Sequence, residues 1–445
     1  MQTLDRPRPL AKFSTATTFR LLLSLLLLAA AVIPTAHAQT YSLLYSFTGG
    51  SDGANPNGQL ILDASGNLYG PASIGGDLSC DSVGCGVIFE LTQSGAQSVL
   101  HTFTGSDGQF PSGTLALDSF NNLYGTTSQG GLVKQSCIPL AKPQGCGVIF
   151  KLNRATGKLT VLHRFAGGAD GAEPNGLIRD SAGNLYGTTY LGGTAGCGNN
   201  ETCGTIYKVD PAGTHTVLYG FTGGTDGGLP ISVIRDSSGN FYGMTLVGGD
   251  LSCQPNTGQG SGCGTVFELT AAGTLKVLHA FTGGKDGQNI AADAASSAGL
   301  IRNSAGTLFG TSPLGGLQDC ANYPGCGVVF SVNPNTEKEK VLHSFDEGPN
   351  GALPSYSLTS DPAGNLYSTT TLGGYTGGPC SPAGCGNVFA LTPSGKLTIL
   401  YSFTDSTDGY YPTYVTSDAS GNLYGETTGG GGNAGSAGTI FQIIP

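Results

Sequence analysis

An eight-residue phrase, Asp180-Ser-Ala-Gly-Asn-Leu-Tyr-Gly187, recurs along this chain and limits its fold more than any other feature. Close copies run from Asp63 to Gly70, Asp118 to Gly125, Asp236 to Gly243, Asn303 to Gly310, Asp361 to Ser368 and Asp418 to Gly425. Seven copies mean one supersecondary unit repeated, each too small to bury its apolar face without a neighbour.

Each unit reads as four short strands. In the first, a turn of the form F-T-G-G-x-D-G-x-x-P (Phe47 to Pro56) leads into the run Gln59 to Leu62. The D-x-x-G-N turn follows, then Leu68 to Ser73, a Gly-Gly loop of variable length, Cys-Gly and Val87 to Leu91. A V-L-H-x-F strand closes the unit, and its Phe recurs at 47, 103, 165, 221, 281, 345 and 403, at spacings of 56 to 64 residues. Gly and Asp in these turns supply positive φ and local hydrogen bonds, while apolar alternation in the runs marks strands.

Four antiparallel strands repeated seven times predict an all-β, seven-bladed β-propeller. The two ends complement one another. The seventh unit stops after its third strand at Pro445, and the missing fourth is Tyr41 to Phe47 at the other end of the sequence. Closure by that N-terminal strand would cover the edge that a linear stack leaves open. Residues 39–445 are therefore expected to be a single propeller domain.

Residues 1–38 read as a signal peptide. Arg6, Arg8, Lys12 and Arg20 precede an apolar run from Leu21 to Ile33, and Ala36-His-Ala38 has the small-x-small form of a cleavage site. Cleavage removes one acid and four bases, leaving 28 acids against 15 bases, so the net charge moves from -10 to -13. That sign repels phosphate backbones, so no nucleic acid is expected as a partner. No later run is a candidate membrane span, and a monomer is expected.

The twelve cysteines confirm the frame. They fall as Cys80/Cys85, Cys137/Cys146, Cys197/Cys203, Cys253/Cys263, Cys320/Cys326 and Cys380/Cys385, one pair in the Gly-Gly loop of each of six units. An even count behind a signal peptide predicts six local disulfides in an oxidising compartment, and the lack of accompanying His argues against metal. If strands alternate outward from the centre, the F-T-G-G-x-D-G turns and the Cys-bearing loops emerge together on one face. Loops on a rigid scaffold are where function concentrates, so that face is the default binding face.

Candidate site residues follow. Asp52, Asp107, Asp170, Asp226, Asp286 and Asp408 recur in the F-T-G-G-x-D-G turn, with Asn350 in the sixth copy. As a carboxylate ring they would hold Ca²⁺, the one ion the sequence suggests; as Asx turns they would only bond their own backbone, and Asn350 favours the latter. No other metal or cofactor is expected. His101, His163, His279 and His343 share a strand position with Tyr45, Tyr219 and Tyr401, which reads as a packing site with a polar tip, and His215 stands by itself in a turn. Catalysis needs departures from the repeat, and the loops offer Asp77, Lys134, Glu201, Asp250, Asp319, Tyr323, Tyr375 and Glu426, plus an insertion near Ala291 to Ser297. Glu426 with Asp77, from adjacent blades, would be the carboxylate pair of a glycosidase or lyase. The absence of Trp removes the usual sugar-stacking platform, although 18 Tyr remain.

The full repeat, L-I-x-D-x-x-G-N-L-Y-G-T-T-x-x-G-G, then C-G-x-[VI]-[FY]-x-[LV], then V-L-[HY]-x-F, resembles the GloVer tandem-repeat family of exported bacterial proteins. These are called choice-of-anchor because members differ in their C-terminal sorting tails. The resemblance spans residues 41–445, implies an extracytoplasmic bacterial protein and supplies no catalytic residue. Unlike anchored members this sequence ends at Pro445 without an apolar tail, which points to a secreted or periplasmic form. The function expected is a non-catalytic propeller scaffold presenting its stiffened loops to an extracellular glycan or protein. The alternative is an extracellular polysaccharide hydrolase or lyase, which would need a deep central pocket lined by non-repeated carboxylates.

Overall fold

In a computed structural model, strand pairing follows the repeat. The structure describes residues 39–445 except 81, 133–136, 138–144, 194–196, 198–201, 255–260, 290–298, 318–319, 321–322, 356, 378–379, 405–406 and 433–436. The expected signal peptide lies outside the described residues. Thr40–Pro445 form one compact unit. Seven antiparallel sheets of four strands, lettered A to D in the order the propeller uses them, make blades I to VII. Blade III is typical: Ala172–Arg179, Leu185–Leu191, Thr205–Val209 and His215–Gly220.

Blade VII takes Tyr410–Ser417, Leu423–Gly429 and Thr439–Ile444 from one end of the chain and Thr40–Ser46 from the other. Tyr41 pairs with Ile443, Leu43 with Phe441 and Tyr45 with Ile440. The N-terminal strand thus closes the wheel and covers the edge that Thr439–Ile444 would otherwise leave open.

Strands B and C are buried along nearly their whole length, whereas strand D alternates between half-buried and exposed. The middle strands are covered on both faces by neighbouring blades, so strand C is largely Val, Ile, Phe and Leu, as in Val87–Leu91, while strand B follows its Leu-Tyr-Gly with small buried residues such as Thr188 and Thr189. Between blades the same contact recurs seven times. The Phe that ends each strand D meets the strand C aromatic of the next blade edge to face, from Phe47 on Phe89 to Phe403 on Phe441, with centroids 5.2 to 5.4 Å apart. The Gly of L-Y-G lies under that aromatic: a Cβ on Gly243 would stand 2.6 Å from the Phe267 ring.

The D-x-x-G-N-L-Y-G phrase is a closed hydrogen-bond network. Asp180 accepts from the Asn184 backbone and side-chain N–H groups at 2.9 Å and from Tyr186 Oη at 3.1 Å. Five further copies repeat it. In blade V the three partners change together, to Asn303, Thr307 and Phe309, and only the backbone bond from Thr307 to Asn303 Oδ1 remains. Burial opposes ionisation of Asp180, but the bonds from Asn184 and Tyr186 outweigh it and hold the carboxyl below its ordinary range.

One expected strand is split. The run Gln59 to Leu62 contributes only Ile61–Leu62 to the sheet, after a separate piece at Ala54–Pro56. Between them the Gly58 N–H turns away from the sheet and donates to Glu426 of blade VII at 2.8 Å.

Candidate functional site

The variable Gly-Gly loops and the F-T-G-G-x-D-G turns emerge on one face, and hydrogen bonds tie them together. The second Gly of a loop donates to the turn that opens its own blade: Gly76 to Gly50, Gly131 to Gly105, Gly193 to Gly168, Gly249 to Gly224, Gly316 to Gly284 and Gly374 to Gly348, at 2.8 to 3.0 Å.

A second latch joins each blade to the next. The carbonyl of the second cysteine of a pair accepts the backbone N–H of the residue before the strand A proline of the following blade. Phe110 donates to Cys85, Glu173 to Cys146, Leu229 to Cys203, Leu353 to Cys326 and Tyr411 to Cys385. In blade VII, which has no cysteine, Ala437 accepts from Asn55. Phe110, Glu173, Leu229, Leu353, Tyr411 and Asn55 all have φ between 51° and 56°, a left-handed backbone that non-glycine residues rarely adopt. The Gly after the cysteine lies under that proline: a Cβ on Gly204 would stand 2.5 Å from Pro230 Cδ.

Six disulfides form as the spacing predicts: Cys80–Cys85, Cys137–Cys146, Cys197–Cys203, Cys253–Cys263, Cys320–Cys326 and Cys380–Cys385. They stiffen loops that expose apolar side chains. Of eleven large hydrophobic residues exposed among the described residues, seven belong to these loops, including Leu78 at 56%, Leu251 at 44% and Tyr375 at 46%. Asp77 and Asp250 occupy matching places in G-G-D-L-S-C, each accepting from the Ser two residues on, at 2.9 Å from its N–H and 2.6 Å from its hydroxyl. Those side-chain and backbone bonds from Ser79 and Ser252 lower both carboxyls from their ordinary range.

The repeated turn carboxylates are engaged, but not as Asx turns. Each reaches backward. Asp226 accepts from the Thr222 N–H at 3.0 Å, from the Thr222 hydroxyl, and from Tyr219 Oη at 3.0 Å. The strand position that alternates Tyr and His supplies the partner every time an Asp is present: Tyr45 to Asp52, His101 to Asp107, His163 to Asp170, His279 to Asp286 and Tyr401 to Asp408. Where the turn holds Asn350, His343 Nε2 is buried with no hydrogen-bond partner, and burial lowers its pKa. Sequence reading missed this pairing, although the two positions stand seven residues apart in most copies. At Asp107 and Asp286 burial opposes ionisation, yet the bonds from His and Thr keep both below the usual carboxylate range. Burial first, and then the neighbouring carboxylate, push Tyr45 and Tyr219 up to about 12.

Glu426 is not a loop residue. It lies within strand B of blade VII at 0% exposure, where blades III, V and VI carry Thr188, Thr311 and Thr369. Those threonines donate to strand A carbonyls of the next blade, whereas Glu426 Oε1 accepts from Gly58 N–H and from the Thr413 hydroxyl, and its Oε2 has no partner. Burial pushes its carboxyl up to about 8. Sealed in the seam, it forms no pair with Asp77 and belongs to no binding face. Lys134, Glu201, Asp319 and the insertion near Ala291 to Ser297 lie outside the described residues. The central channel holds a cavity of about 170 Å³ whose walls are mainly aliphatic, including Leu177, Ile178, Val233, Ile234 and Leu300, with Gln59, Thr114 and Ser232 as its polar side chains.

The sequence model of the Gloeobacter/Verrucomicrobia repeat matches residues 32–139, 140–253 and 202–441. This chain belongs to that family. The matched residues take in all seven blades, in which the D-x-x-G-N-L-Y-G phrase is the turn between strands A and B. No curated protein matches the chain. Among solved structures it is similar to a streptogramin B lyase, at 13% identity and a TM-score of 0.53 over 91% of this chain and 97% of the other. It is similar to an oligogalacturonate lyase of Vibrio parahaemolyticus, at 12% and 0.51 over 93% and 96%. A puromycin-hydrolyzing peptidase of Mycobacterium tuberculosis matches at 10% and 0.51 over 88% of this chain and 52% of its own. At such identities the likeness is one of fold.

Proposed function

We propose that this family member is a non-catalytic binding module of an oxidising, extracytoplasmic compartment, and that its disulfide-bearing face holds an extracellular glycan or protein. The observation that carries this reading is the set of exposed Leu, Val and Tyr side chains on five of the six cysteine loops, since large apolar side chains held outward on rigid loops of one face mark interaction sites. Six disulfides support the compartment. Among the described residues no helix is long and apolar enough to cross a membrane.

The test is a glycan array and an affinity capture with the chain from residue 39 onward, run beside a Leu78→Ser/Leu251→Ser variant. Retention of a glycan or protein by the parent and its loss by the variant is the expected result. Turnover of any polysaccharide, or binding indifferent to the loop variant, would overturn the reading.

A further inference from the structure

Around the rim, each junction brings three positions together: the Tyr or His of one strand D, the turn Asp after it, and the first part of the next strand D. The third position, six residues before the closing Phe, holds Leu in blades II, IV and VI, at 159, 275 and 397. In blade III it holds His215. There His215 Nδ1 lies 3.1 Å from Asp170 Oδ1, and His163 Nε2 lies 3.2 Å from both Asp170 oxygens. Far from standing by itself in a turn, His215 begins strand D and completes a cluster whose three ligand atoms lie within 4.8 Å of one another.

We propose that His163, Asp170 and His215 bind one divalent transition-metal ion, with Zn²⁺ the ion that fits the donor set best. Two imidazoles and a carboxylate are ligands that suit Zn²⁺, and three protein ligands with a fourth position open to water is a common arrangement for it. The nitrogen-to-oxygen separations are close to the edge of about 3.3 Å that bonds of about 2.0 to 2.1 Å give in a tetrahedral site. Asp170 is 26% and His163 18% exposed, so an ion reaches the cluster from solvent, while His215 at 9% forms its floor.

The two imidazoles are stacked, 4.2 Å between centroids and 9° between planes. An ion cannot lie in two parallel ring planes at once, so uptake must turn the more exposed His163 ring and replace the hydrogen bonds to Asp170. The repeat supplies its own controls. His101 with Asp107 and His279 with Asp286 make the same first pair, without a second imidazole.

Zn²⁺ titrated calorimetrically into the chelator-treated chain from residue 39 onward should show one ion per chain, and Co²⁺ should give the visible absorption of a low-coordinate site. His215→Leu, which installs the residue of three sister blades, should weaken the affinity at least tenfold with an unchanged melting temperature in the absence of metal. His279→Tyr, which copies blade III, should leave the affinity unchanged. No stoichiometric binding by the parent, or equal loss in the His279→Tyr variant, would overturn the proposal.

Discussion

The two faces of this propeller are built on opposite principles. On one, the D-x-x-G-N turns are near copies in which Asp, Asn and Tyr use up one another's hydrogen-bonding groups. On the other, loops of unequal length carry six disulfides and turn Leu and Tyr outward. The difference teaches that what repeats in this chain holds the wheel together, and what varies is free to meet something else. Blade V makes the point within the uniform face: when Asp becomes Asn303, Asn becomes Thr307 and Tyr becomes Phe309, so the carboxylate and the two side chains that donate to it are replaced together.

The comparison breaks first where a latch is overfilled. Gly204→Val puts a side chain against Thr189 O at 2.4 Å and Pro230 Cδ at 2.5 Å, from a backbone at φ +83°. Chemical denaturation should show a loss of roughly 3 to 5 kcal/mol, since overpacking and left-handed strain add.

Next comes the seam. The folded pKa of Glu426, about 8, lies above the ordinary 4.5, so the folded state holds its proton more tightly than the unfolded chain. Its favourable contribution is complete below pH 4.5 and is lost as pH rises to about 8, at up to about 1.4 kcal/mol per pH unit. Glu426→Gln should flatten that slope in denaturation series across pH and should exceed the parent in stability at pH 8. An identical slope in both proteins would contradict the assignment.

A smaller effect separates repetition from mere similarity. Asp180→Asn should cost roughly 1 to 2 kcal/mol by weakening bonds from Asn184 and Tyr186. Adding Asn184→Thr and Tyr186→Phe, which reproduces the blade V turn, should recover part of it. The smallest stability change belongs to the other face: Leu78→Ser/Leu251→Ser should shift the unfolding midpoint by less than the equivalent of about 0.5 kcal/mol while binding falls.

The wheel, its closing strand and its disulfide pairs were legible because Gly, Cys and Phe recur at fixed places and each has a backbone or packing reason to do so. The site was legible only as a face. Asp226 and its Tyr219 were both visible as repeated positions, but nothing in linear order says that one side chain reaches back to the other across the end of a strand. Glu426 looked like a loop carboxylate because it interrupts a run of threonines, and its burial depends on Gly58 of a blade 368 residues away. His215 read as standing by itself because its partners, His163 of the preceding blade and Asp170 of the turn that opens its own, are distant in linear order.

Both faces exist only because the wheel closes, so amide hydrogen exchange at Tyr41–Ser46 is the most direct measurement. Pairing with Thr439–Ile444 predicts that these amides are protected to the same degree as that partner strand and open with it. Exchange at the rate of an unstructured terminus, while Thr439–Ile444 stays protected, would contradict it.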